Sequence, residues 1–155
     1  MSKNILISVP LKHNCNTYQS RLKAEFLYKL SQDGITPHIF GEEGAVAPPS
    51  AWSLDVLQNF MQGCDGVAVL GLIRHQGGHV AEYNHIEGAL ALAYRIPLFL
   101  IHEEGAVDRG ILDPQQTSSY TVMIHTPAIP VNAPSGWFNT DAQFNADYNN
   151  WRSHL

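Results

Sequence analysis

Short runs of contiguous apolar residues alternate along the chain with longer stretches in which apolar positions recur every three or four residues. Ile5-Leu6-Ile7-Ser8-Val9, closed by Pro10, predicts a buried strand ending in a loop. After a polar stretch, Leu22, Phe26, Leu27 and Leu30 recur at helical spacing. Asn16 or Thr17 is placed to cap that helix and Asp33-Gly34 to end it. Residues 35–40 predict a second strand, which Pro37 assigns to an edge or a strand start. Residues 41–50 are rich in Gly and Pro and read as a loop. A short helix follows with Leu54, Leu57, Phe60 and Met61 inward, ended by Gly63. Residues 66–72 form the third predicted strand, apolar on both faces as a central parallel strand requires. Arg74-His75-Gln76-Gly77-Gly78 reads as a polar loop into an Ala-rich helix ending near Tyr94-Arg95. Residues 97–101 and 120–124 predict the fourth and fifth strands. A proline-rich segment, 126–134, then leads to a terminal helix with Phe144, Tyr148 and Trp151 on one face.

Strands alternating with helices at this spacing imply a parallel sheet covered by helices, an α/β architecture. The length, 155 residues, suits one domain, read here as an α/β body over 1–125 and a tail over 126–155 that packs on it or on a partner subunit. With 45% hydrophobic and 15% charged residues the chain is globular rather than disordered. No apolar run approaches the roughly 18 residues of a membrane span. The N-terminus runs directly into a strand, so the expectation is a cytoplasmic protein. A net charge of -5 and the lack of a Lys/Arg cluster argue against a nucleic-acid partner. Cys15 and Cys64 make no C-x-x-C pair and read as free thiols.

Candidate chemistry follows from topology, because ligands of an open parallel sheet bind outside the carboxyl ends of its strands. The loops over 10–16, 41–50 and 73–78 should meet there. Gly77-Gly78 reads either as a tight strand-to-helix turn or as a cradle whose amides face an anionic or ribose-bearing ligand. Glu82 lies one turn into the predicted helix. At about 100° per residue it shares a stripe with Ile86, Ala89 and Ala93, which the pattern turns toward the sheet. Glu87 falls about 140° away, on the flank read as solvated. Glu82 is therefore the functional candidate, or else a favourable acidic residue in a first turn. His75, His79 and His85 flank it. Their order is not that of a recognised zinc motif, so no metal is expected. Asp65 reads as a turn residue, and Ser8-Val9-Pro10 is placed to present a hydroxyl or amides to a ligand. Neither G-x-S-x-G nor a Walker-type G-K-[ST] occurs.

A strand ending Ser8-Val9-Pro10, the first helix with Arg21, Cys64-Asp65-Gly66-Val67-Ala68-Val69, Gly78-x-x-x-Glu82, the Ala89-to-Ala93 run and Ile96-Pro97 together resemble the nucleoside 2-deoxyribosyltransferase-like families. These include nucleotide N-glycosidases and, more distantly, TIR-domain NAD hydrolases. The resemblance covers roughly Lys3 to Ile101. It implies a flavodoxin-like sheet and a glutamate acting at the anomeric carbon of a ribose. Gly78 and the distance from Asp65 carry that role to Glu82, whereas the families' Glu-x-x-x-Ala followed by Pro fits Glu87, Ala91 and Pro97. Arg74-His75-Gln76-Gly77-Gly78 stands where the families have Asp-x-Gly-Thr.

The expectation is thus an enzyme that cleaves or transfers the N-glycosidic bond of a nucleoside, nucleotide or NAD. It needs no cofactor, and NAD would enter as a substrate. Glu82 is the catalytic candidate; Ser8, Pro10, His13, Asp65, His75, Gly77, Gly78, His79 and His85 are the substrate-binding candidates. The alternative is a non-catalytic TIR-like module that senses a nucleotide or acts through partners. Trp137, Phe138, Phe144, Tyr148 and Trp151 offer more aromatic area than a short tail needs, which predicts a homo-oligomer unless the tail packs on its own sheet.

Overall fold

The computed structural model describes residues 1–10, 14–39, 53–116, 118–126 and 137–155, the last group without the Trp137 side chain. Five strands form one parallel sheet: β1 (Lys3–Ser8), β2 (Ile35–His38), β3 (Gly66–Gly71), β6 (Leu98–His102) and β7 (Thr121–His125). Their order is β2-β1-β3-β6-β7, which is the flavodoxin-like arrangement. Between β3 and the next helix lies a two-stranded antiparallel hairpin, β4 (Ile73–His75) and β5 (His79–Val80).

The period-two alternation of the strands divides the core into two layers. Ile5 and Ile7 of β1 point to one face with Phe99 and Ile101 of β6, and there they meet Leu22, Phe26 and Leu30 of α1 (Thr17–Gln32). The same face is closed by Phe144, Tyr148 and Trp151 of α4 (Ala142–Arg152). Leu6, Val67, Val69, Leu98 and Leu100 point the other way, toward Leu57 and Met61 of α2 (Leu54–Met61) and Ala91 of α3 (Glu82–Ala93). β3 is buried along its whole length, in keeping with its central place. Pro37 lies on the edge strand β2, opposite Ile5, where a missing N–H costs no ladder bond on the outer side.

Helix α1 begins with a reciprocal cap: Asn16 accepts from the Gln19 amide over 2.8 Å, and the Gln19 side chain accepts from the Asn16 amide over 3.1 Å. Of the α2 residues expected inward, Leu57 and Met61 are buried, Phe60 is half-buried, and Leu54 is exposed. The aromatic tail does not form an exposed stripe. Phe138, Phe144, Tyr148 and Trp151 are all core residues that stack on Phe99 or on one another. The motive for expecting an interface there is removed, because this face of the sheet has α1 over one half and needs a second helix over β6 and β7. Cys15 and Cys64 form no disulfide with each other and are half-buried. Among the described residues no helix is long and apolar enough to cross a membrane.

Candidate functional site

The strand order makes the β1–β3 pair the point at which the chain changes sides: β2 adds to one flank of β1, and β3, β6 and β7 to the other. The crevice outside the carboxyl ends at such a point is where open α/β sheets hold ligands. Ser8 is the last residue of β1 and is buried. Facing it, α3 turns inward Asn84, Glu87, Gly88 and Ala91, the i, i+3, i+4, i+7 stripe of that helix. Asn84 donates from Nδ2 to Ser8 Oγ over 2.9 Å, and the Ser8 hydroxyl donates to the Glu87 carboxylate. Glu87 is 6% exposed and has no ion-pair partner among the described residues. Burial pushes its carboxyl up to about 7, with the Ser8 hydrogen bond acting in the opposite sense. Asn84 Oδ1 is buried without a hydrogen-bond partner among the described residues.

This reverses the expected orientation of α3. Glu82, Ile86, Ala89 and Ala93 are exposed, and the face read as solvated is the one against the sheet. The helix begins at Glu82 itself, with Ala81 as N-cap, so Glu82 is its first residue rather than one turn in. The physical reason for the orientation is a close approach at one position: a β-carbon on Gly88 would lie 2.4 Å from Ile111 Cγ1, so no larger residue fits there. Asn84 and Glu87 are carried inward by Gly88 and Ala91.

Gly77-Gly78 is likewise not a strand-to-helix turn. Both glycines, at φ 83° and 81°, lie in the loop of the β4–β5 hairpin, left-handed conformations that L side chains avoid. A β-carbon on Gly78 would sit 2.4 Å from the Gly105 carbonyl oxygen. The hairpin is fastened to the segment after β6 by the Val107 amide, which donates to the Gly78 carbonyl over 2.9 Å. A second tie runs from the Ile73 amide to the Glu103 carboxylate, which also accepts from Gln19 of α1.

Between hairpin and segment opens a cavity of about 340 Å³ lined by His75, His79, Val80, Glu82, His85, Val107 and Arg109. His75 and His79 are cross-strand partners. His85 accepts from the Ile111 amide at Nδ1 over 3.3 Å, which leaves the ring proton on Nε2. Burial, and then Arg109, lower its basicity, against the pull of Glu82. Asp108, beside Arg109, is held by the buried His102 at the end of β6, Nε2 to Oδ1 2.7 Å.

The predicted residues therefore separate. Glu82, His75, His79 and His85 line this cavity, with Gly77 and Gly78 in the hairpin loop beside it, while Ser8 lies with Glu87. Pro10 is buried just beyond β1. Asp65 is at the opposite, amino end of the sheet: it accepts from the Asn4 amide over 2.8 Å and pairs with Lys3 over 3.2 Å. That amide, and then Lys3, hold its carboxyl below the usual range. His13 and the loop over 41–50 lie outside the described residues. Among the described residues no three His, Cys, Asp or Glu side chains are grouped to hold a metal ion. Asn84 and Arg109 were not singled out by the sequence; the small-residue spacing of Gly88 and Ala91 is the signal that finds the Asn84–Glu87 face. No family model matches the chain, and none of the curated proteins compared with it is significantly similar.

Proposed function

We propose that the protein cleaves or transfers the N-glycosidic bond of a nucleoside, nucleotide or NAD, and that Glu87 rather than Glu82 is the carboxylate that meets the anomeric carbon. One observation carries this reading: a buried carboxylate without a cationic partner among the described residues, held by a Ser8–Asn84 relay at the β1–β3 crevice. A carboxylate placed so costs folding free energy, since the charged form is stripped of water and nothing positive repays it. That cost is offset when positive charge develops beside it. The departure of a base from a ribose leaves such a charge on the anomeric carbon.

In the step proposed, the C–N bond breaks with its electron pair going to the base, and a Glu87 oxygen either bonds to the sugar carbon or stabilises it as a cation. A purine or pyrimidine base takes a proton from water as it leaves, whereas the nicotinamide of NAD leaves as a neutral molecule without one. Water or a second base then attacks the same carbon, giving hydrolysis or transfer. Ser8 keeps one Glu87 oxygen in place by its hydroxyl, and Asn84 fixes the direction of that hydroxyl. With its carboxyl near 7, Glu87 is roughly half ionised at neutral pH, so activity should rise with pH through that value.

The test is chromatography of NAD and a nucleoside and nucleotide panel after incubation with wild type, Glu87→Gln and Glu82→Gln. Base release lost by about 100-fold or more in Glu87→Gln alone supports the proposal. Loss in Glu82→Gln alone would return the role to Glu82. Binding of a nucleotide with no product from any panel member would favour the sensing module instead.

A further inference from the structure

The cavity between the β4–β5 hairpin and Arg109 stands apart from Glu87. Glu82 and Glu87 are separated by five residues, about 7.5 Å along the helix axis, and point to opposite sides of it. One sugar cannot contact both. The cavity walls carry two opposite charges that do not satisfy each other: among the described residues neither Arg109 nor Glu82 forms an ion pair. Arg109 is nevertheless placed by neighbours on both sides. Asp108 is tied to His102, and Gly110 packs so closely on the His85 ring that a β-carbon there would lie 2.7 Å from Nδ1. Donors gather on the same wall. The His85 ring carries its proton on Nε2, and the first turn of α3 follows Ala81, which gives it no side-chain cap.

A bare anion would meet Glu82, and a bare cation would meet Arg109. A ligand with an anionic end and hydroxyl donors satisfies both. An amino acid would also present an anionic end, but a cavity of about 340 Å³ exceeds the needs of a small one. We propose that this cavity is a binding site for a sugar phosphate: Arg109 takes the phosphate, with the His85 N–H beside it, and Glu82 accepts from the sugar hydroxyls. The site is independent of the reaction proposed at Glu87.

Isothermal titration of the intact chain with ribose 5-phosphate, ribose, inorganic phosphate and glycine tests it. Ribose 5-phosphate should bind most tightly. Arg109→Ala should weaken it roughly tenfold or more, as loss of a charge-assisted hydrogen bond does. Glu82→Gln should weaken ribose 5-phosphate and leave inorganic phosphate unchanged. Glu87→Gln should leave all four titrations as in wild type, which keeps this site distinct from the other. The proposal is overturned if ribose 5-phosphate binds no better than inorganic phosphate, if glycine binds better, if Arg109→Ala binds like wild type, or if Glu87→Gln abolishes binding.

Discussion

On the α1–α4 side of the sheet the layer is filled by Phe26, Phe99, Phe138, Phe144, Tyr148 and Trp151, rings packed on rings with centroids 4.2–6.5 Å apart. On the α2–α3 side it is filled by Leu, Val, Ile, Met and Ala, and the face that α3 turns inward is made by Asn84, Glu87, Gly88 and Ala91. Aromatic packing buries a large area per residue, here together with the Tyr148 hydroxyl and the Trp151 indole N–H. Small residues let a helix approach closely enough for a buried carboxylate to reach a strand end. One face supplies stability, and the other gives some of it up to hold a charged group where water is scarce.

The largest test of that contrast is Trp151→Ala. Trp151 is fully buried, with its ring 5.3 Å from Phe99, and the truncation should cost about 3–5 kcal/mol in chemical denaturation. Trp151→Phe should cost far less, because the buried indole N–H has no partner among the described residues to lose. A loss near 1 kcal/mol for the alanine variant would show that the aromatic layer is not the main support.

Glu87→Gln should do the opposite. With the carboxyl at about 7 against an ordinary 4.5, the folded chain holds a proton that the unfolded chain releases between those values. Stability therefore falls as pH rises through that window, by about 3 kcal/mol in all, and is unaffected by this group well below it. The glutamine variant should lack that decline and be at least as stable as wild type at pH 8, measured by urea melts across the pH range. A variant that is less stable at pH 8 would make Glu87 a structural residue and sink its catalytic role.

Gly88→Ala probes the close approach. Its β-carbon would meet Ile111, and the overpacking should cost about 1–3 kcal/mol while displacing Glu87 and lowering activity. The smallest effect belongs to Asp65→Asn at the amino end of the sheet. It weakens a half-exposed ion pair and one hydrogen bond, so it should cost under about 1 kcal/mol and leave base release unchanged. A large loss of base release in that variant would place ligand contacts at the wrong end of the sheet.

Strand alternation and helix spacing made the parallel sheet legible, because Ile5, Ile7 and the run from Val67 to Leu70 can be buried in few other ways. The orientation of α3 was not legible from hydrophobicity. Ile86 is the bulkiest apolar residue between Tyr83 and Leu90, yet it is exposed, and two polar residues are turned inward by a glycine that packs against Ile111. The hairpin was hidden for a different reason. β4 and β5 are three and two residues long, too short for a period to register, and a Gly-Gly loop has the same composition whether it leads to a strand or to a helix. Arg109 lies in a segment without periodicity, and only the tertiary ties from His102 and His85 place it.

The β4–β5 hairpin is too small to be stable by itself, and it is held by Val107 bonding to Gly78, Glu103 bonding to Ile73 and Gln19 of α1 donating to the Ile73 carbonyl. The first two of these ties end on the segment that also carries Arg109. The imidazole wall and the guanidinium wall of the cavity are thus linked through those two bonds, and parting them requires both to break. Their separation runs on the time scale of local unfolding, microseconds or slower, and not on that of side-chain rotation.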